Sequence, residues 1–441
     1  MATINQLFKS KTIMKIVYFM TVIVCSALVV VRAQAQRITL EECQTKAAQN
    51  YPLIQQYQLL NIAENYTLDK ISKVYMPQAS LNGQATYQSD VTKISLEKEL
   101  PITLNINDYF PTMKKDQYKV YGEVQQLLWD GDRSKAQSQL TKASNNVDKE
   151  KITVNLYAIK GKINDLYFGV LAVEEQKKQL TIYRSDLQAN ADMIKSMLKN
   201  GVAMASDMDQ IEVEFLNIDQ KNTELESAKD AYLNMLSIFI GEKISKQTEL
   251  IIPADIQSLN TDIQRPELSL FEKERNLYAS QEFSIKAKNK PTVGLFVQGG
   301  YGRPALNMLN PDFKFYAIGG VKFSWDFGNL YTKKTELNEI KNNQKMVDVQ
   351  EKTFLFNTNL EMQQISPEIQ KYKDLMQKDV QIMELRERVK TTSQSKYKNG
   401  VYHINDLISD TNAENLARQA KAQHYIQYLN SIYNYQFKQG K

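Results

Sequence analysis

The chain has 441 residues, enough for a large core or several domains. Its 55 basic and 50 acidic residues nearly cancel to a net charge of +5, and no dense basic face interleaved with aromatics is present, which argues against nucleic-acid binding. Only 16 Gly and 10 Pro stand against 24 Tyr, so turns are scarce and the composition favours helix.

Residues 1–35 have the pattern of a secretory signal peptide. Lysines precede an apolar run at 16–31, and the small residues Ala33 and Ala35 follow it, which predicts cleavage after Ala35. A membrane-anchoring helix is the alternative, and Met14 is a second candidate start. Cys25 would leave with the signal, so the mature chain would keep Cys43 alone and form no internal disulfide.

The two tryptophans reveal an internal duplication. Trp129 lies in LLWDGD and Trp325 in FSWDFGN, and three other pairs of similar segments occur in the same order. These pairs are PQASLNGQATY with PTVGLFVQGGY (from 77 and 291), KNGV with KNGV (from 199 and 398), and YLN with YLN (from 232 and 428). The order predicts a first repeat over 36–260 and a second over 261–441.

Each repeat begins with a helix and then a predicted strand hairpin, at about 77–129 and about 291–326. Apolar and polar residues alternate along these strands, most clearly at 79–87 and 315–325 and most weakly at 120–129. A strand of about 10 residues is long enough to cross a bilayer when tilted. No other long apolar run follows the signal, so a membrane crossing by the mature chain would need strands. A pair of ordinary soluble hairpins is the alternative.

A very long helix follows each hairpin, at 131–198 and 328–397. At a 1.5 Å rise per residue each would be ~100 Å long. Apolar residues step by three and four from Ile152 to Val173 and continue to Ile194, the spacing of a coiled coil. Leu375, Ile382, Leu385 and Val389 repeat that spacing. We predict bends near Gly169 and Pro367, and shorter helices at 54–74, 206–240, 265–288 and 405–437.

Short polar segments join these elements. Trp129-Asp130 and Trp325-Asp326 would form strand-to-helix junctions, with each Trp N–H in water and each Asp accepting from the first free helix N–H groups. A buried core Trp is the alternative. The turns at 199–206 and 398–405 would form helix tips, with left-handed Gly201 and Gly400 and with Ser206 and Asn405 as N-caps.

The ordered set resembles TolC-like outer-membrane efflux proteins, the outer membrane factors. Segment 126–132, QLLWDGD, is similar to the family's Q-x-L-F-D-G-G, with Trp for Phe and Asp132 for the last Gly, and RPEL at 265–268 is similar to its second-repeat opening. The resemblance implies a mainly α fold with a β-barrel part. Four strands per protomer would join a 12-stranded trimeric outer-membrane barrel, and very long coiled-coil helices would form a periplasmic α-barrel tunnel.

The function implied by the resemblance is a homotrimeric channel in the Gram-negative outer membrane, in contact with its lipid. It would be the passive exit duct of tripartite efflux or type I secretion, docking to a periplasmic adaptor (membrane fusion) protein and an inner-membrane RND-type or ABC transporter. The implied adaptor contacts at the tips are Gly201, Val202, Asp207, Gly400 and Val401.

The resemblance also implies a periplasmic gate. The family's second tip reads Tyr-x-x-Gly-x-Arg-x-x-x-Asp-x-x-Asp, and Tyr397, Gly400 and Asp406 match it. Tyr402 stands where Arg is expected, and Asp410 lies one place beyond the second Asp. The implied gate residues are therefore Tyr397, Tyr402, Asp406 and Asp410. Asp406 would either ring the mouth and attract cations or stabilise a helix start.

A non-channel coiled-coil protein of the periplasm or cell surface explains the heptads equally well. No nucleophile elbow or phosphate loop occurs, and the only histidines, His403 and His424, do not form a metal-ligand pattern. We therefore expect no catalytic residues, no metal site and no cofactor. The sequence leaves open the cargo and the choice between RND-type and ABC partners.

Overall fold

The computed structural model describes residues 37–92, 113–256 and 260–441. The predicted signal peptide and most of the loop between the first two predicted strands lie outside the described residues. In chain order the elements are β1 (Arg37–Ile38), α1 (Leu40–Asn50), α2 (Ile54–Ser72), a 3₁₀ turn (Lys73–Tyr75), β2 (Gln78–Tyr87), β3 (Asp116–Trp129), α3 (Arg133–Lys199), α4 (Ala205–Ile240), β4 (Glu249–Leu250), α5 (Pro266–Lys288), β5 (Thr292–Arg303), β6 (Lys314–Ser324), α6 (Gly328–Lys398) and α7 (Ile404–Gln439).

The chain forms two compact units. Among the described residues, one comprises 37–51, 159–256 and 365–434, and the other comprises 52–92, 113–158, 260–364 and 435–441. We call them the tip unit and the sheet unit, after the helix turns and the four-stranded sheet that they contain. The long helices α3 and α6 contribute residues to both.

The sheet unit contains the four-stranded antiparallel sheet in the order β2-β3-β5-β6. The two hairpins adjoin through β3 and β5, whose pairing runs from Tyr118 opposite Arg303 to Trp129 opposite Val293. β3 is the longest strand, with 14 residues. It begins four residues before the predicted start at 120. Residues 116–119 are mostly polar, so the alternation pattern did not predict them as strand, but they pair with β2 and in part with β5.

The register places most apolar residues of the sheet on one face, with Leu127, Phe296 and Ile318 on the other. Successive rows across the four strands are Leu81-Gly122-Gly299-Ala317, Ala79-Val124-Val297-Gly319 and Gly83-Val120-Tyr301-Phe315. The intervening rows, on the opposite face, include Ser80-Glu123-Gln298-Ile318, Asn82-Tyr121-Gly300-Tyr316 and Gln84-Lys119-Gly302-Lys314. The predicted alternation is thus confirmed, and it divides the sheet into an apolar face and a polar face.

A bulge near the end of β3 adjusts this division. Three polar residues lie on the apolar face: Gln126, which pairs with Leu295, and Asp116 and Arg303, which form an ion pair near the other end of β3. The register then shifts between Leu127 and Trp129, so that Trp129 pairs with Val293. Because the bulge absorbs one residue, it returns Trp129 to the apolar face.

The tip unit has a continuous hydrophobic core. Buried residues of α3, α4, α6 and α7 form it, including Leu187, Ile194, Ile211, Tyr397 and Leu407. Leu187, Ile194 and Ile211 are fully buried, and each such side chain contributes roughly 1.5–3 kcal/mol relative to exposure. The predicted first stripe therefore packs as expected: Leu180, Leu187 and Ile194 are all buried.

The second predicted stripe does not pack in the same way. Ile382, Leu385 and Val389 are 45%, 54% and 41% exposed in the single chain. The buried positions of α6 in the tip unit include Asp379, Ser393 and Tyr397 instead. The stripe on α6 is therefore left exposed in one protomer, because the helix turns its more polar side toward α3 and α7.

Two small features have no counterpart in the prediction. Helix α1 begins with a capping box, in which Thr39 Oγ1 accepts from Glu42 N–H at 3.2 Å while Glu42 accepts from Thr39 N–H at 3.0 Å. Strands β1 and β4 form a two-residue parallel pair. Such a short pairing has no periodicity to detect, and its partners lie more than 200 residues apart in the chain.

Candidate functional site

The two helix tips have the same backbone construction. Gly201 and Gly400 adopt φ of 73° and 69°. Just beyond them, Val202 N–H donates to Met197 O, and Val401 N–H donates to Lys396 O, both at 2.9 Å. The left-handed glycine and the bond back to the helix close α3 and α6 as predicted.

The starts of the returning helices differ from the prediction. Ser206 and Asn405 are not the N-caps, because α4 begins at Ala205 and α7 at Ile404. Asp207 Oδ2 accepts from Met204 N–H at 3.3 Å, and Asp406 Oδ2 accepts from His403 N–H at 3.0 Å. Each acidic residue thus reaches back from the third helical position and stabilises the positive end of its helix.

Apolar side chains project from the tips. Val202 and Met204 are 65% and 72% exposed, and Val401 is 70% exposed. The predicted contact residues Gly201, Val202, Gly400 and Val401 are therefore on the surface. Exposed apolar groups clustered at a turn favour contact with another surface.

Near the tips a hydrogen bond joins the two helical hairpins, α3–α4 and α6–α7, which are joined again farther along by Lys390 with Asp186 and by Asn190 with Thr411 and Gln394. Tyr397 Oη, on the last turn of α6, donates to Asp207 Oδ2, on the first turn of α4, at 3.1 Å. The Tyr397 side chain is 4% exposed. Burial, and then the hydrogen bond and charge of Asp207, raise the pKa of Tyr397 to about 12. The phenol therefore stays protonated and able to donate at neutral pH.

The other predicted gate residues form separate contacts. Lys396 lies over the Tyr402 ring, with Nζ 4.5 Å from the ring centroid and 3.2 Å from the hydroxyl. Asp410 accepts from the hydroxyl of Ser393 on α6. Asp406 is exposed and caps its helix. Tyr402 thus engages a lysine of its own hairpin where an arginine was expected.

A charged cluster, partly buried, lies farther along the same helices. Lys390 Nζ is 3.0 Å from Asp186 Oδ2 and 3.5 Å from Glu414 Oε2, and Arg418 pairs with Glu414. Glu414 is 1% exposed. Sequence reasoning missed this cluster, since its members look like ordinary solvent-facing residues of long helices and only the packing brings α3, α6 and α7 together.

The strand-to-helix junctions contain the expected capping bonds. Asp130 Oδ2 accepts from Ser134 N–H at 2.6 Å, and Asp326 Oδ1 accepts from Gly328 N–H at 2.9 Å. Trp129 and Trp325 are 42% and 43% exposed, which rules out a buried core position. The expectation of a wet Trp325 N–H is wrong, because this group donates to Asn289 O at 3.2 Å.

The first junction contains the one positive-φ residue other than glycine in the described chain. Asp132 has φ 67°, directly after Gly131 at φ 69°. A Cβ on Gly131 would lie 2.8 Å from Lys290 Cβ, so this glycine is needed for close approach. Asp132 forms an ion pair with Lys290. Gly328 at the second junction has no such conformation, so the two junctions are built differently.

Two kinds of feature are absent from the described ranges. Across residues 37–92, 113–256 and 260–441, no three metal-ligating side chains come together. No helix in these ranges combines the length and apolarity that crossing a membrane requires.

Comparison with solved structures identifies the fold. No family model and no curated protein sequence matches the chain. The outer-membrane channel OprN superposes with a TM-score of 0.64 at 13% identity, covering 91% of this chain and 89% of that one. The outer membrane protein VceC of Vibrio cholerae gives 0.61 at 12% identity, covering 91% and 96%. The open state of the MtrE outer membrane channel of Neisseria gonorrhoeae gives 0.61 at 12% identity, covering 91% and 89%. The chain therefore has the fold of these outer-membrane channels, as the sequence resemblance implied.

Proposed function

We propose that the protein is the trimeric outer-membrane exit duct of an efflux or secretion assembly. It would be a passive conduit in the outer membrane of a Gram-negative cell, extending into the periplasm. The single observation that carries the proposal is the sheet, whose apolar face is exposed to the surroundings while its opposite face is polar. The fold shared with OprN, VceC and MtrE supports the same assignment.

The apolar face is too exposed for a soluble protein. Leu81, Val297, Val321 and Phe315 are 79%, 61%, 67% and 85% exposed. Four strands ~4.8 Å apart and about ten residues long give a face of about 650 Å². The largest apolar patch of a typical soluble monomer is about 300–600 Å². A lipid environment would stabilise this face, whereas water would not.

Aromatic residues lie at both ends of the apolar face. Phe315 and Tyr301 are in contact at one end, with tilted rings whose centroids lie 4.7 Å apart, and Trp325 and Phe327 are in the same kind of contact at the other, also at 4.7 Å. Phe315 to Trp325 spans ~34 Å along the strand at ~3.4 Å per residue. A tilt of ~40° reduces this to ~26 Å, close to the ~25 Å apolar band of outer-membrane barrels.

The edges of the sheet support a closed oligomer. Within the described strands of one chain, β2 and β6 each pair on one side only. Because the strands alternate in direction, β6 of one protomer would meet β2 of the next in antiparallel pairing. Three protomers would close 12 strands and leave no free edge. The exposed stripe on α6, with Ile382, Leu385 and Val389, would then pack between protomers.

The tips would form the periplasmic gate and docking surface. The Tyr397-Asp207 bond joins the two helical hairpins of one protomer close to the tips, so its rupture would loosen them there, while the contacts of Asp186 and Asn190 hold them farther along. Exposed Val202 and Val401 would contact a periplasmic adaptor. Asp207 has two roles here, as helix cap and as hydrogen-bond acceptor. An inner-membrane transporter of RND or ABC type would supply the energy, since no catalytic group is expected in this chain.

Purification and planar-bilayer recording test the proposal. The mature protein should require detergent, run as a trimer on crosslinking, and produce discrete conductance steps. A coiled-coil spacer would instead be a detergent-free soluble protein without conductance. That result would end the proposal and favour the structural alternative.

A further inference from the structure

We infer that the polar face of the sheet contains a subsite for anionic aromatic solutes, formed by a row of lysines and an adjacent row of tyrosines. This inference rests on the proposed duct, because only in a closed barrel would the polar face line a passage. It goes beyond the duct in naming the class of solute.

The lysine row is defined by the strand register. Lys119 on β3 pairs with Gly302 on β5, and Gly302 pairs with Lys314 on β6. The two lysines are therefore two strand spacings apart, ~10 Å, with no side chain between them. Gln84 completes the row on β2.

Neighbouring rows do not neutralise these charges. On the described strands, the flanking row toward the hairpin ends holds Thr86 and Gln117, and the row on the other side holds Asn82, Tyr121, Gly300 and Tyr316. The nearest carboxylate on this face of β3, Glu123, is four residues from Lys119, ~13 Å along the strand. Glu123 also accepts from Gln125 Nε2 at 2.6 Å. On the strands themselves the lysine row is thus a local excess of positive charge, and the nearest carboxylate in the sequence to Lys314 is Asp312, which lies before β6 begins.

The tyrosine row lies next to it. Tyr121 and Tyr316 both pair with Gly300, so two phenol rings stand on either side of a residue that has no side chain. Tyr121, Tyr316 and Lys119 are half-buried, whereas Lys314 is exposed and the apolar-face residue Phe315 is 85% exposed. Aromatic rings beside ammonium groups suit a flat apolar solute that carries a negative charge.

The size of the barrel makes the charge effective. Twelve strands ~4.8 Å apart and tilted ~40° enclose a backbone cylinder of radius ~12 Å. Three protomers would place six ammonium groups around one level of this passage. Lysine side chains would extend several ångströms from the backbone cylinder toward its axis. The Debye length, over which their charge is screened, is ~10 Å at about 0.1 M salt and ~3 Å at about 1 M. The lysine potential should therefore reach the axis at low salt and vanish at high salt.

Reversal potentials in a potassium chloride gradient test the charge. At about 0.1 M salt, the K119Q/K314Q variant should have a chloride-to-potassium permeability ratio at least about threefold lower than that of the wild type. The difference between the two proteins should disappear near 1 M salt, where the lysine charges are screened. E123Q, on the same face, should shift the ratio in the opposite direction. K243Q, between α4 and β4, is the matched control and should change nothing.

Current block tests the tyrosines. Naphthalene-2-sulfonate should block the wild-type channel at lower concentration than methanesulfonate, and 1-naphthylmethylammonium should not block. Y121L/Y316L should raise the naphthalenesulfonate concentration for half-block about tenfold while preserving the reversal potential.

The outcomes separate the two proposals. Conducting channels whose reversal potential is the same in the wild type and K119Q/K314Q would overturn the anion subsite and leave the duct intact. Equal block by the aromatic and methyl sulfonates would overturn the aromatic part. A wild-type protein that forms no channel would overturn the duct and this inference together.

Discussion

Replacing Tyr397 by Phe should weaken the tie between the two helical hairpins without changing the buried ring. The substitution removes one hydroxyl, which donates to the Asp207 carboxylate at 3.1 Å. A hydrogen bond to a charged group contributes about 1.5–3 kcal/mol. Asp207 also accepts from Met204 N–H, so it keeps a partner and the lower value applies. About 1.5 kcal/mol corresponds to roughly a tenfold shift in the opening equilibrium of each protomer.

Planar-bilayer recording measures this shift as the fraction of time in the large-conductance state. Tyr183→Phe is the matched control, since Tyr183 is also 4% exposed and its hydroxyl also donates to a carboxylate, Glu214 Oε2, at 3.3 Å. That bond joins α3 to α4 within one hairpin. Tyr397→Phe should therefore raise open time about tenfold or more, while Tyr183→Phe should leave it unchanged. Equal open times for the two variants would refute the gate assignment.

Three further predictions concern pH, thiol chemistry and the junction. The pKa of Tyr397 in the folded protein is raised to about 12 from an ordinary value of 10.0. Its stabilising contribution is therefore complete below pH ~10 and is lost as the pH rises toward 12. Conductance should be constant from pH 7 to 9 and should increase above pH 10. Burial raises the pKa of Cys43 to about 12, so a maleimide should label this thiol only after denaturation, and labelling of the native protein would contradict its burial. Asp132 has φ 67°, a conformation that glycine adopts more easily than alanine. In thermal unfolding in detergent, Asp132→Gly should therefore be more stable than Asp132→Ala by about 1 kcal/mol. Equal melting temperatures would mean that the backbone there is unstrained.

The sequence determined the elements and the duplication. The long helices end at Lys199 and Lys398, within a residue of the predicted ends, because KNGV supplies a left-handed glycine at the same place in each repeat. The alternation along the strands predicted one apolar and one polar face, since side chains of a strand point to opposite sides at every step. These are local properties, and local chemistry was sufficient to find them.

Only the tertiary structure decided which residues meet. Tyr397 and Asp207 lie 190 positions apart, and the cluster of Lys390, Asp186 and Glu414 joins three helices through charges that resemble a solvated surface in the sequence. The same limit applies to Lys119 and Lys314, whose common row depends on the pairing of β3 with β5 and of β5 with β6. Register across non-adjacent strands and rotation of one long helix against another are set by packing free energy summed over many contacts. No short segment of sequence contains that sum.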